Sequence, residues 1–287
     1  MKLSLWLLGL IAAPSLFADE GWQLTGKILK ILDGKSSLVV AYDVIPGFRE
    51  MPGELEVRVG SGDHAIAKSG EVIRGQLTGK DGTFKLEGIW PADAKTEQAM
   101  SLINRDMTRP RIGASKGVLK VGDEFPRFAF YNQLGQLVRP EDLEKRLLVV
   151  NFIFTRSKVP TMSAATVKRM AQLQTRLKES GMLEDVKLIS ISLDPEHDTP
   201  GICYAYLDAQ GIDHDSYWML TGSKSALDFL TKKIGVVSVP SEKTIINHSM
   251  VLLIVDKEAK IFHRIPGTRW SLDDVYGRLE VLQGGWK

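Results

Sequence analysis

The chain has 287 residues, of which 44% are hydrophobic and 25% charged, an ordinary globular composition whose length favours two domains. With 37 Lys and Arg against 35 Asp and Glu, the net charge is +2, which excludes binding to nucleic acid by general electrostatic attraction. The one cysteine, Cys203, cannot form an internal disulfide, so the fold is expected to be stable without such a link.

The first residues have the pattern of a secretory signal peptide. Lys2 supplies a positive charge, an apolar run covers residues 3–13, and Pro14 and the small residue Ala18 follow. This run is shorter than the roughly 20 apolar residues of a membrane span, and no later segment is apolar enough to be one. We therefore expect a signal peptide over residues 1–18 and an exported, periplasmic protein, with an uncleaved N-terminal anchor as the alternative.

Residues 22–90 form short runs of alternating character separated by turn residues. The runs are WQLTGKILKIL, SLVVAY, ELEVRV, EVIRGQL and TFKLEGIW, and two Asp-Gly pairs are typical of hairpin turns. They predict a small all-β domain over residues 19–91, a barrel or a sandwich, which we assign as an OB-like barrel. A helix that ends near residue 106 and a basic stretch are predicted to link this domain, over residues 92–118, to the second half.

The second half alternates strands and helices. LLVVNFIF (147–154) and KLISISL (187–193) are apolar runs typical of strands buried on both faces, and the amphipathic segment between them completes a βαβ unit. A helix that begins after Thr199, a hairpin formed by MVLLIVD and KIFHRI, and a last helix after Ser271 follow. This order predicts an α/β thioredoxin-like domain over residues 119–287.

In a thioredoxin-like fold, the loop after the first strand of the βαβ unit leads to the N-terminus of a helix. The helix dipole and its free N–H groups lower the pKa of a cysteine there, so redox and soft-metal chemistry is common at this position. The loop of this chain reads FIFTRSKVPTMSA over residues 152–164 and contains Ser157 and Ser163 but no cysteine.

Three motifs carry a family resemblance: NFIFTRSKVPTMSAATVKRM, SISLDPEHDTP and INHSMVLLIVD. Over residues 117–287 they resemble, in order and spacing, the Sco/SenC family of thioredoxin-like copper chaperones associated with cytochrome c oxidase assembly. By this resemblance, Ser157 and Ser163 occupy the positions of the family's two motif cysteines, and His248 occupies the position of its distal copper-binding histidine. The resemblance implies a role in copper handling or oxidase assembly with a protein partner, but with a degenerate redox and copper motif.

The two serines remove the chemistry that the cysteines would supply. A serine hydroxyl stays protonated at neutral pH and is a poor ligand for Cu(I), which selects soft sulfur, so Ser157 and Ser163 form neither a disulfide nor a cuprous site. We predict no catalytic residue and no certain cofactor. His248 is the candidate metal ligand, with copper as a weak candidate ion, and its alternative role is a hydrogen bond at the sheet end. Ser163 is predicted to be the N-cap of the following helix.

Three further residues are accessory candidates. Asp194 and Asp198 follow a strand at the sheet end where ligands bind in α/β folds, and the resemblance suggests that they share a face with His248. A turn before a capped helix is the simpler explanation of both aspartates. Cys203 has neighbours suited to a helix packed on the sheet, which predicts an inert buried thiol, with a reactive thiol as the alternative.

The segment VVAYDVIPGFREMPGELEV resembles small periplasmic copper-binding barrels of the CusF type, over residues 21–90. In such barrels a histidine, methionines and a tryptophan hold Cu(I). Here Tyr42 occupies the histidine position and Met51 is the one nearby methionine, while Trp22 and Trp90 are predicted to be core aromatics.

The sequence thus predicts an exported Sco/SenC-like protein that acts in copper handling or oxidase assembly through protein contacts and is not an enzyme. Its partners are predicted to be proteins, such as oxidase assembly components, and not nucleic acid. Two alternatives stay open: a catalytically silent structural or regulatory binding module, and a thiol enzyme that uses Cys203.

Overall fold

The computed structural model describes residues 21–109, 117–157, 163–236, 238–239, 247–248 and 250–284. The predicted signal peptide lies outside these ranges. Within them, no helix combines the length and the apolar character that crossing a membrane would require.

A closed five-stranded barrel forms the first part of the chain. The alternation predicted from the sequence places Leu24, Val40, Val57 and Leu77 inside it, each fully buried, so the period of two residues builds the barrel core. The strands are β1 (Trp22–Leu32), β2 (Ser37–Tyr42), β3 (Gly53–Arg58), β4 (Val72–Lys80) and β5 (Thr83–Pro91). Their order is β1-β2-β3-β5-β4, with β3 and β5 parallel and the other neighbouring strands antiparallel.

Two helices accompany the barrel: α1 (Ser61–Ile66), between β3 and β4, and α2 (Ala94–Thr108), after β5. The side chain of Asp93 caps α2 by accepting a hydrogen bond from the N–H of Thr96 at 2.9 Å. The buried Asn104 amide bonds both backbone groups of Ala129, at 2.8 and 2.9 Å. This paired contact fixes α2 to the second half of the chain.

The second half is built on a five-stranded sheet of order β10-β9-β8-β13-β14, in which β8, β9 and β10 are parallel. Helices α3, α4 and α6 cover one face, and α5 covers the other. The elements are β6 (Phe130–Tyr131), β7 (Leu137–Val138), a 3-10 turn (Pro140–Asp142), β8 (Leu147–Ile153), α3 (Ser163–Glu179), β9 (Val186–Ser192), α4 (Pro200–Asp208), β10 (Tyr217–Leu220), α5 (Lys224–Ile234), β11 (Ser238–Val239), β12 (Asn247–His248), β13 (Val251–Val255), β14 (Ile261–Pro266) and α6 (Leu272–Gly284).

All seven residues of β8 and all seven of β9 are buried, as their continuous apolar runs predict for strands covered on both faces. The predicted βαβ unit, hairpin and last helix are confirmed. The sequence interpretation missed α1, the short pairs β6–β7 and β11–β12, the edge strand β10 and the helix α5.

Candidate functional site

The loop that carries the two serines begins at the carboxyl end of β8. Ser163 is the first residue of α3, and its hydroxyl oxygen lies 3.5 Å from the N–H of Phe154 and accepts its hydrogen bond. The prediction that Ser163 is the N-cap is therefore wrong: it is helical, and its hydroxyl joins the start of α3 to the end of β8. The side chain is fully buried, so a donor or acceptor at this position needs a protein partner.

Ser157 lies on the other side of residues 158–162, which are outside the described ranges. Its backbone N–H donates to the carbonyl of Phe154 at 3.4 Å, and its hydroxyl oxygen is buried with no hydrogen-bond partner among the described residues. Neither serine offers the soft donor that Cu(I) requires.

Asp198 forms the centre of a polar cluster where β8 and β9 end. Its fully buried carboxylate accepts four hydrogen bonds: from the N–H of Thr155 at 3.2 Å, the Thr155 hydroxyl at 2.5 Å, the Ser192 hydroxyl at 2.6 Å and Nδ1 of His197 at 3.0 Å. These donors come from two strand ends and one turn. The carboxylate therefore ties the loop after β8 to the loop after β9.

Asp194 is held by an ion pair. Its Oδ2 accepts from Nε and Nη2 of Arg156 at 2.9 and 2.5 Å, and its own N–H donates to the Ser192 hydroxyl at 3.0 Å. One ligand atom each of Asp194, His197 and Asp198 lies within 4.8 Å of the others, a spacing that a metal ion could use. Both carboxylates are already satisfied by protein donors, so the arrangement supports the simpler explanation of a structural turn.

Cys203 lies in α4, in the core between the helices and the sheet. It has no exposed surface, and its Sγ donates to the carbonyl of Asp198 at 3.6 Å. Burial, with a smaller contribution from the nearby Asp198 charge, raises its pKa well above the ordinary value. A thiolate nucleophile is disfavoured at such a position, which argues against the thiol-enzyme alternative.

His248 is described by its backbone alone: β12 pairs with β11 in antiparallel register, with His248 opposite Ser238. Its side chain lies outside the described part of the chain. The predicted role as a metal ligand therefore stays a prediction.

In the barrel, Trp22 has the predicted core role. Its ring stacks on that of Phe48 with centroids 4.3 Å apart, and Phe48 contacts Phe84 at 5.3 Å. Tyr42 is also buried, whereas Met51 is 76% exposed. A tryptophan stacked within its own barrel contributes to the packing of that barrel.

Trp90 differs from its prediction as a barrel-core aromatic. It is half-buried, and its ring faces Tyr131 of β6 with centroids 6.3 Å apart. The contact crosses from the barrel to the second half of the chain. The prediction for Trp90 is therefore wrong, and this residue belongs to the junction between the two.

The sheet, its flanking helices and the position of the loop define the second half as a thioredoxin-like domain. The SCO1/SenC family model matches residues 119–282. The chain belongs to the SCO1/SenC family. A SCO1 protein homolog of Bacillus subtilis (strain 168) is 31% identical over 143 residues, which are 48% of this chain and 71% of that protein.

Two solved structures show the same fold. The first is a SCO1/SenC family lipoprotein from Bacillus anthracis str. Ames, which is 24% identical and superposes with a TM-score of 0.52. The match covers 59% of this chain and 99% of the lipoprotein chain. The second is BsSco, a protein with a disulfide switch that is described as a member of the Sco family of cytochrome c oxidase assembly proteins. It is 25% identical and superposes with a TM-score of 0.51, and the match covers 59% of this chain and 99% of BsSco.

Proposed function

We propose that this chain acts in copper handling or cytochrome c oxidase assembly as an exported protein that works through protein contacts and not through thiol exchange. The observation that carries the proposal is the pair Ser157 and Ser163 in the loop between β8 and α3. A hydroxyl neither exchanges electrons with a second hydroxyl nor binds Cu(I) firmly.

The location of the remaining thiol supports the same proposal. Cys203 is buried in the core, and its pKa is raised, so it is poorly suited to replace the two missing cysteines. Among the described residues, Asp198 still joins the ends of β8 and β9. A chain that keeps its fold while the reactive groups are absent is suited to recognition by another protein.

The family relation supplies the partner class. BsSco is named as a member of a family of oxidase assembly proteins, so the partner of this chain is proposed to be an oxidase assembly component. The signal-peptide pattern of residues 1–18 supports a meeting point outside the cytoplasm.

The proposal predicts that the hydroxyls of Ser157 and Ser163 are dispensable. In the source organism, deletion of the chain should lower cytochrome c oxidase activity, and expression of the double variant Ser157→Ala and Ser163→Ala should restore it to the level reached with the unchanged chain. The measurement is oxidase activity in membranes, with the amount of the chain followed by immunoblot.

Each outcome is informative. Oxidase activity that stays normal after deletion contradicts the link to oxidase assembly. Activity that is restored by the unchanged chain but not by an equally abundant alanine variant contradicts a function without chemistry at the two serines.

A further inference from the structure

The barrel and the thioredoxin-like domain meet at two glycines. A Cβ atom added to Gly62 in α1 would collide with the carbonyl oxygen of Gly201 in α4 and lie 3.1 Å from Cβ of Ala205. A Cβ added to Gly201 would collide with the Asp63 carboxylate. The backbones of α1 and α4 are therefore in direct contact, and this junction closes only because neither position carries a side chain.

Asp63 is the charged residue in this contact. Its Oδ1 is buried and has no hydrogen-bond partner among the described residues. The carboxyl group does accept a hydrogen bond from the backbone N–H of Gly60, which lies in the same turn. The cavity beside it is lined mainly by apolar side chains of the barrel and by Leu134 and Pro200 of the second half. An ionised carboxylate in such surroundings loses water and gains in return only the Gly60 backbone donor, with no paired cation among the described residues.

The charged side chains around Asp63 do not compensate for this loss. From β5, Glu87 adds a like charge, and Glu71 lines the same cavity. The first turn of α4 carries no charged residue, and on α1 itself His64 directs Nε2 to the carbonyl of Leu32 at 3.3 Å.

We propose that the junction between α1 and α4 is a pH-sensitive clamp, closed most firmly when the Asp63 carboxyl group is protonated and loosened when it ionises. The protonated group carries no charge into the apolar contact and gains a donor. Because α4 begins directly after the turn that holds Asp198, loosening the junction also releases the helix that follows the polar cluster.

The direction of the pH dependence follows from linkage. Burial, more than the like charge of Glu87, raises the pKa of Asp63 from 3.8 to about 7, whereas the opened junction returns it to the ordinary value. Closure is therefore strongest below the ordinary pKa, weakens as the pH rises toward about 7, and is constant above that.

Hydrogen–deuterium exchange tests the clamp in the purified full chain. After correction for the intrinsic exchange rate, the protection of amides in α1 and in the first turn of α4 should fall at least about tenfold between pH 5 and pH 8. The barrel-core amides of β1 serve as an internal reference and should keep their protection. Asp63→Asn, which has the same shape and no charge, should remove the fall, and Glu71→Gln, a variant in the same cavity, should retain it.

Constant protection in the unchanged chain overturns the proposal. A fall that persists in Asp63→Asn overturns it as well, because another group must then titrate. Gly201→Ala opens the junction by sterics and should lower protection at both pH values, which shows that the measurement detects opening. This experiment contains neither copper nor a partner, so its outcome is independent of the proposed function.

Discussion

Replacing both Ser157 and Ser163 with cysteine should raise the affinity of the chain for Cu(I) by at least about a hundredfold. Loss of groups that only support metal ligands typically costs about 10- to 100-fold in affinity, and two thiolates are direct ligands. Cu(I) prefers sulfur over hydroxyl oxygen, and the loop leads to the N-terminus of α3, where a thiolate is stabilised. Competition with a coloured Cu(I) chelator measures the gain.

A matched variant separates a rebuilt site from the mere addition of thiols. Ser157→Cys combined with Ser225→Cys adds the same two groups but places the second one on the exposed start of α5. This control should bind Cu(I) far more weakly than the double variant at positions 157 and 163. Equal affinities would mean that the loop does not bring positions 157 and 163 close enough to bind one ion. They would contradict the assignment of the two serines to the positions of the family cysteines.

Removing the Asp198 carboxylate should destabilise the fold by about 3 kcal/mol or more. Hydrogen bonds to a charged group contribute about 1.5–3 kcal/mol each, and Asp198→Ala leaves the hydroxyls of Thr155 and Ser192 without their acceptor. The midpoint of denaturant unfolding, followed by circular dichroism, measures the loss. The cost is large because the carboxylate is fully buried and joins two strand ends.

The matched control is Asp194→Ala, four residues earlier in the same turn. Its partner Arg156 has a side chain that is 39% exposed and can be solvated by water once the ion pair is lost. This variant should therefore cost clearly less than Asp198→Ala. Equal losses would show that Asp198 does not organise the turn.

The sequence predicts the fold best where one local pattern decides the element. The uninterrupted apolar runs of β8 and β9 fix two central strands, and the alternation in β1 to β5 fixes the barrel. The four-residue β10 is too short for a pattern of its own and is defined by pairing with β9. Helix α5 did leave a signal, because its buried residues Ala226, Leu227, Leu230 and Ile234 have helical spacing.

The site is predictable only in part, since its partners come from distant segments. The serines, Asp194 and Asp198 are visible as motif positions. Their bonds to Thr155, Arg156 and Ser192 arise only when β8 and β9 pair and bring their ends together. The roles of Trp90 and Asp63 depend on how the barrel packs against the second domain, for which the sequence carries no local signal.

The proposed function requires that the chain has no thiolate site for Cu(I). The most direct test is a Cu(I) titration of the purified protein against a competing chelator, with the His248→Ala variant measured in parallel. We predict weak binding by both, with no affinity beyond that of a single imidazole. Tight stoichiometric binding by the unchanged chain, lost in His248→Ala, would contradict it, because the site would then hold copper without the two family cysteines.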